Sequence, residues 1–260
     1  MMSNLRDAIN VTTLFDLTGK TALVTGGSRG IGRMIAQGYL QAGATVFISS
    51  RKADACNKAA DELSAVGPCH SLPADISLEE HRERLVAALG EHTDRLDILV
   101  NNAAHQMHFD TLEDIPDEEW EMTFRTNIHS MFYLCKAAVP IMEKGGAIIN
   151  TASINSDKPN PGLLAYAATK GAIQNFTVGL AQMLAPRGIR ANCVAPGPVW
   201  TPLIPATLPK DSVAHFGEDK PIGRPAQPAE LATAFVMLAD PLSSYTNGAT
   251  VEVTGGIPMI

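Results

Sequence analysis

The stretch KTALVTGGSRGIG, Lys20–Gly32, constrains the fold of this chain more than any other. Thr21–Val24 is an apolar run that reads as a buried strand. Gly26, Gly30 and Gly32 follow, and Ile31, Met34, Ile35 and Tyr39 then recur at helical spacing. A strand that passes into a helix over so few residues must turn tightly, and glycine supplies the conformations and close backbone approach that such a turn needs. The helix also opens with unpaired N–H groups, a seat for a phosphate. A glycine pattern alone is weak evidence; between a strand and a helix it is the context of dinucleotide binding.

The same alternation runs along the chain. Further apolar or β-branched runs occupy Thr45–Ser49, Cys69–Leu72, Leu96–Val100, Ala147–Thr151, Arg190–Ala195 and Thr250–Val253. Between them, Trp120, Phe124, Met131 and Leu134, and later Ile173, Phe176, Leu180, Met183 and Leu184, keep one helical face apolar. Wholly apolar strands alternating with helices indicate an α/β fold: a Rossmann-type doubly wound sheet of seven parallel strands with helices on both faces. No composition break divides residues 1–260, so one domain is expected, with residues 1–15 as an N-terminal extension. Pro196–Pro228 breaks the rhythm with eight prolines. A long irregular segment of this kind suggests a lid over a substrate, against the plainer reading of a surface excursion.

Composition narrows the function. A net charge of −7 argues against nucleic acid as a partner, which needs clustered positive charge. No apolar run of about 18 residues exists to span a membrane, and MMSNLRDAINVTTLF lacks a signal-peptide core. A cytoplasmic protein is expected. Cys56, Cys69, Cys135 and Cys193 form no CxxC pair and read as free thiols. His105 and His108, in HQMH, have no carboxylate or thiol cluster beside them, so no metal site is expected.

YAATK sets Tyr166 and Lys170 four residues apart, on one face of a helix. A free tyrosine titrates near pH 10, and a nearby ammonium favours its phenolate. Such a tyrosine can exchange a proton with a carbonyl oxygen or an alcohol while hydride moves at carbon.

Taken together, these motifs resemble the short-chain dehydrogenase/reductase family from about Leu17 to Gly256. TGGSRGIG resembles its cofactor turn, with Gly26, Ser28, Arg29, Gly30, Ile31 and Gly32. ADI, with Asp75 and Ile76, resembles its adenine-contacting turn. NNAA, with Asn102 and Ala103, resembles its segment after the fourth strand, and VAPGPVWT, with Pro196, Gly197, Val199 and Thr201, its segment after the sixth. PIGRPAQPAELA and VTGG resemble late elements. Asn127, Ser153, Tyr166 and Lys170 match the catalytic tetrad. The resemblance implies that Ser153 polarises the substrate carbonyl and Tyr166 is the acid/base. Lys170 binds the nicotinamide ribose and lowers the Tyr166 pKa, and Asn127 holds a water that links Lys170 to solvent. Ala104 stands where the family has glycine in NNAG, a change expected to be tolerated, and Thr254 where it has aspartate in VDGG.

The cofactor follows from an absence. In relatives that prefer NAD an aspartate binds the adenosine ribose where this chain has Ser50, and Arg51 comes next. A guanidinium suits bidentate bonding to phosphate, and Arg29 lies in the turn itself, so NADP(H) is implied. Lys52 could assist, but it reads better as a solvated lysine. Carbonyl reduction is then the expected direction, on a 3-oxoacyl or cyclic ketone substrate. The alternatives are an NAD-linked alcohol or sugar-acid dehydrogenase and a non-catalytic dinucleotide-binding regulator. HQMHF, INSDKPNPGLL and the lid are expected to form the substrate pocket, with His105, Asn155 and Leu203 as contacts. The family implies a homodimer or homotetramer through helices over Asp117–Val139 and Ala165–Leu184, and the apolar end GGIPMI is expected to pack on a neighbouring subunit.

Overall fold

In the computed structural model, residues 13–258 are described; most of the expected N-terminal extension and the last two residues of the GGIPMI tail lie outside them. Seven strands form one sheet: β1 (Thr21–Thr25), β2 (Thr45–Ser49), β3 (Cys69–Ser71), β4 (Ile98–Asn101), β5 (Ala147–Thr151), β6 (Arg190–Pro196) and β7 (Thr250–Val253). Their order is β3-β2-β1-β4-β5-β6-β7, and every pairing is parallel. The strands fall on the seven apolar runs, with ends differing by at most two residues.

Successive side chains of each strand point to opposite faces, so each run feeds two cores. Val24, Val46, Ile48 and Val100 join one; Leu23, Phe47, Leu99 and Ile148 join the other. The first core is covered by α1 (Gly30–Gln41), α2 (Ala53–Leu63) and α9 (Pro228–Ala239), the second by α3 (Glu79–Gly90), α5 (Ser130–Ala138) and α6 (Leu164–Leu184). Each fully buried Leu, Ile or Phe of these layers contributes about 1.5–3 kcal/mol. The first leg of the dimer-helix expectation is not one uniform helix. It comprises α4 (Asp117–Phe124), a π turn over Arg125–His129 and α5. The π turn places Asn127 in the interior, and such turns gather at functional sites.

β1 lies centrally, and the chain winds outward from it in two directions. The sheet order reverses between β1 and β4, and there the carboxyl ends of the strands open a crevice. Gly26 (φ 70°) turns the chain out of β1. A Cβ on Gly32 would stand 2.3 Å from the Gly26 carbonyl oxygen, so only glycine lets α1 begin this close to the strand. Across the crevice, Pro196–Pro228 carries two short helices, α7 (Ile204–Thr207) and α8 (Lys210–Ala214). The end of the chain folds back on this segment: Gly255 lies against Ile222, and Gly256 against Pro221. The described part of the GGIPMI tail thus packs on its own chain.

Candidate active site

The strand ends open into a cleft of about 720 Å³. Every site residue expected from the sequence lines it except Gly32, which lies beneath the glycine turn, and Asn127, which is buried behind it. At one end of the cleft stand the glycine turn, Ser50, Arg51, Asp75 and Ile76; at the other stand the 105–108 and 154–163 segments and the lid. Thr201 closes over the glycine turn, its Cβ 3.5 Å from where a Cβ on Gly30 would be.

Asn102 joins β1 to β4: its Nδ2 donates to the Thr25 carbonyl (3.0 Å), and its backbone N–H and that of Ala103 donate to the Thr25 hydroxyl. Asp75 holds its own turn, accepting at Oδ1 from the Ser77 N–H (3.0 Å) and hydroxyl (2.7 Å). Arg33 is paired with Glu62 on α2. Arg29 and Arg51 form no ion pair among the described residues, although both line the cleft.

The deep part of the cleft collects the acid–base groups. Ser153 follows β5, and its Oγ accepts from the Asn155 N–H (3.1 Å) and from the Asn155 side-chain amide (3.4 Å). With its lone pairs so engaged, the Ser153 hydroxyl is free to donate toward Tyr166, which pulls the tyrosine pKa down. Lys170, fully buried, donates from Nζ to the Thr151 carbonyl (2.6 Å) and lies 5.2 Å from the Tyr166 ring centroid. Burial dominates both titrations. It pushes Tyr166 up to about 12, against the pull of Ser153, and pulls Lys170 down to about 7. In the protein without cofactor the Tyr166 pKa is therefore raised rather than lowered: desolvation of the phenolate outweighs the Ser153 contribution, and the lysine is itself partly discharged near neutral pH. In this state Tyr166 is a proton donor.

Asn127 makes three bonds within the protein. Its Oδ1 accepts from the His105 N–H (2.7 Å), and its Nδ2 donates to the His105 carbonyl (2.9 Å) and the Thr169 hydroxyl (3.0 Å). The Asn155 side chain, expected to meet substrate, is likewise engaged by Ser153 and by the Asn160 N–H.

The partners of the pocket groups carried no sequence signal of their own. Gln106 is buried, and its Nε2 donates to the Thr207 hydroxyl of α7 (2.7 Å). Glu119 of α4 pairs with the His105 ring. His108 packs on Gly162, where a Cβ would lie 2.3 Å from its Nε2. Ile257, from the chain end, lines the cleft. These contacts join segments that only the fold brings together.

The cleft suits a dinucleotide. Buried hydroxyls of Ser49 and Thr151, at the ends of β2 and β5, have no protein partner among the described residues and line the cleft. A polyhydroxylated ligand supplies such partners.

A family model described as enoyl-(acyl carrier protein) reductase matches residues 26–258. NADPH-dependent aldehyde reductase 1, chloroplastic, of Arabidopsis thaliana is 42% identical over 249 residues, covering 92% of this chain and 86% of that protein. A glucose and ribitol dehydrogenase of Daucus carota is 43% identical over 248 residues, covering 92% and 85%. The crystal structure of L-sorbose reductase from Gluconobacter frateurii, complexed with NADPH and L-sorbose, superposes with a TM-score of 0.86 at 31% identity, covering 94% of this chain and 98% of that one.

Proposed function

The chain belongs to the short-chain dehydrogenase/reductase family, an oxidoreductase acting on CH–OH and C=O groups, and from that premise we propose that it is an NADP(H)-dependent carbonyl reductase of small hydroxylated aldehydes or ketones. The observation that carries the cofactor half is the pair Arg29, in the glycine turn, and Arg51, beside Ser50 at the end of β2 where an acid is missing, neither with a carboxylate partner among the described residues. The relatives named for NADPH support the same reading. In it, the glycine turn and the start of α1 hold the pyrophosphate, Arg29 and Arg51 the 2′-phosphate, and Asp75 and Ile76 the adenine side. Asn102, Ala103, Pro196, Gly197, Val199, Thr201, Tyr166 and Lys170 hold the nicotinamide half.

The bound nicotinamide supplies or accepts the hydride. The rest is done by the protein. Ser153, turned by Asn155 to donate, binds and polarises the carbonyl oxygen. Tyr166, kept protonated by burial, gives its proton to that oxygen, which suits reduction. Lys170 stands behind it as the next proton carrier, poised near neutrality. The eight-proline segment acts as the lid, with Leu203 against the substrate.

For the substrate, the polar lining His105, Gln106, His108 and Asn160 supports a hydroxylated molecule, and two relatives are named for sugars or polyols. Leu203, Ile204, Leu208 and Ile257 favour, as a second reading, an acyl or cyclic ketone. The reading extends to a cytoplasmic enzyme, supported by four free buried cysteines. It also extends to a homo-oligomer, supported by exposed Trp120, Phe132, Tyr133, Val178 and Met183 on α4–α6; a monomer in light scattering excludes that part. The test is NADPH and NADH oxidation by the purified protein over a panel of aldoses, ketoses and unsubstituted carbonyls, with cofactor affinities for Arg51→Ala. The variant loses about tenfold or more in NADP affinity and little in NAD. Tighter NAD binding by the native protein overturns the cofactor reading.

A further inference from the structure

His105 is held more firmly than a loop residue needs to be. Three side chains spaced four apart serve its segment from one face of the α4–π-turn helix: Glu119, Thr123 and Asn127. Asn127 clamps its backbone with two hydrogen bonds, of 2.7 and 2.9 Å. Glu119 takes the Nε2 of its ring, and the Thr123 hydroxyl donates to the same carboxylate oxygen (3.3 Å). Thr123 and Asn127 are buried, and the His105 and Glu119 side chains are about one-fifth exposed. Burying such a polar stripe costs free energy that an apolar contact would not, and it is recovered only if every member is bonded. The outcome is a histidine fixed at both its backbone and its far ring nitrogen, with Nδ1 as the ring's remaining hydrogen-bonding atom, in a residue that lines the cleft Ser153 and Tyr166 share.

We propose that His105 determines specificity by accepting a substrate hydroxyl at Nδ1, and that Glu119 is the positioning residue that fixes its tautomer and angle. A carboxylate on Nε2 requires the proton there, which leaves Nδ1 of the neutral ring an acceptor. The inference rests on the reading of the protein as a reductase of hydroxylated carbonyls and adds to it the group that tells a hydroxylated chain from a bare one.

The test compares the native enzyme with His105→Phe and Glu119→Gln on C3 to C6 aldoses and on unsubstituted aldehydes of equal length. His105→Phe is expected to raise KM for aldoses about tenfold more than it raises KM for the unsubstituted series. Glu119→Gln is expected to act in the same direction by about threefold. Equal losses on both series, or none, overturn the proposal and leave His105 a structural residue. If the native enzyme oxidises NADPH with the unsubstituted aldehydes alone, the specificity role falls and the reductase reading stands. If it does so with neither series, the reading of the function falls as well.

Discussion

The two ends of the cleft are built differently. At the cofactor end the lining groups directly follow strands: Gly26 after β1, Ser50 after β2, Asn102 after β4. Parallel register fixes where each strand stops, so the residues just past neighbouring strand ends are delivered side by side. At the substrate end the groups come from far apart. Gln106 reaches Thr207, 101 residues on, and His108 meets Gly162. The sheet places the first end by where its strands stop. The second depends on side chains that bond one another, and it can change without disturbing the fold.

Tyr166 stands where the two ends meet, and its removal has the largest expected effect. Tyr166→Phe deletes the proton donor and keeps the ring. We expect kcat to fall about 10²–10⁴-fold while NADPH affinity, read by fluorescence titration, stays within about twofold. A comparable loss of NADPH affinity would mean that the ends are one unit, and substantial residual turnover would remove Tyr166 from the acid role.

The same division explains what could be read from the sequence. The seven apolar runs became the seven strands because a strand buried on both faces carries its signal locally. Ser50, Arg51 and Asp75 could be placed because they are counted from strand ends. Glu119 could not be, because in DEEWEM it resembles any exposed acid of a first helical turn, and only the fold shows that His105 faces it. The Tyr166–Lys170 spacing correctly predicted a shared helical neighbourhood. It did not predict the electrostatics, because burial, which raises the tyrosine and lowers the lysine, is a property of the packed protein. Asn127 was recognisable as a position, but its clamp on His105 was not.

Lys170 offers a second way to separate the ends, through stability. Its folded pKa of about 7 lies below the usual 10.5. Between those values the unfolded chain holds a proton that the folded site has shed, so stability rises with pH across that window. The cost of burying the charge is complete below about pH 7 and vanishes above about 10.5. Lys170→Met removes that cost and also strips the Thr151 carbonyl of its donor, a loss of about 1–3 kcal/mol. We expect a higher Tm than native at about pH 6, by calorimetry without cofactor, with the advantage shrinking or reversing by about pH 10, and turnover lost throughout. An advantage that grows with pH would contradict the assigned shift.

The smallest effect is expected where the lid meets the core. Gln106 follows His105, whose backbone Asn127 clamps, and it donates to Thr207 of α7, whose own hydroxyl donates back to the Leu203 carbonyl. This chain of bonds connects the lid helix to the helix that carries the π turn. One neutral hydrogen bond is worth about 1 kcal/mol net, near a fivefold change in an equilibrium. Gln106→Leu and Thr207→Val are each expected to raise substrate KM about three- to fivefold, and NADPH affinity is expected not to change, because the bond lies at the other end of the cleft. The double variant should be no worse than the weaker single one, since both remove the same bond. Additive losses would show that the two side chains act separately, and a parallel loss of NADPH affinity would show that the lid closes over both ends at once.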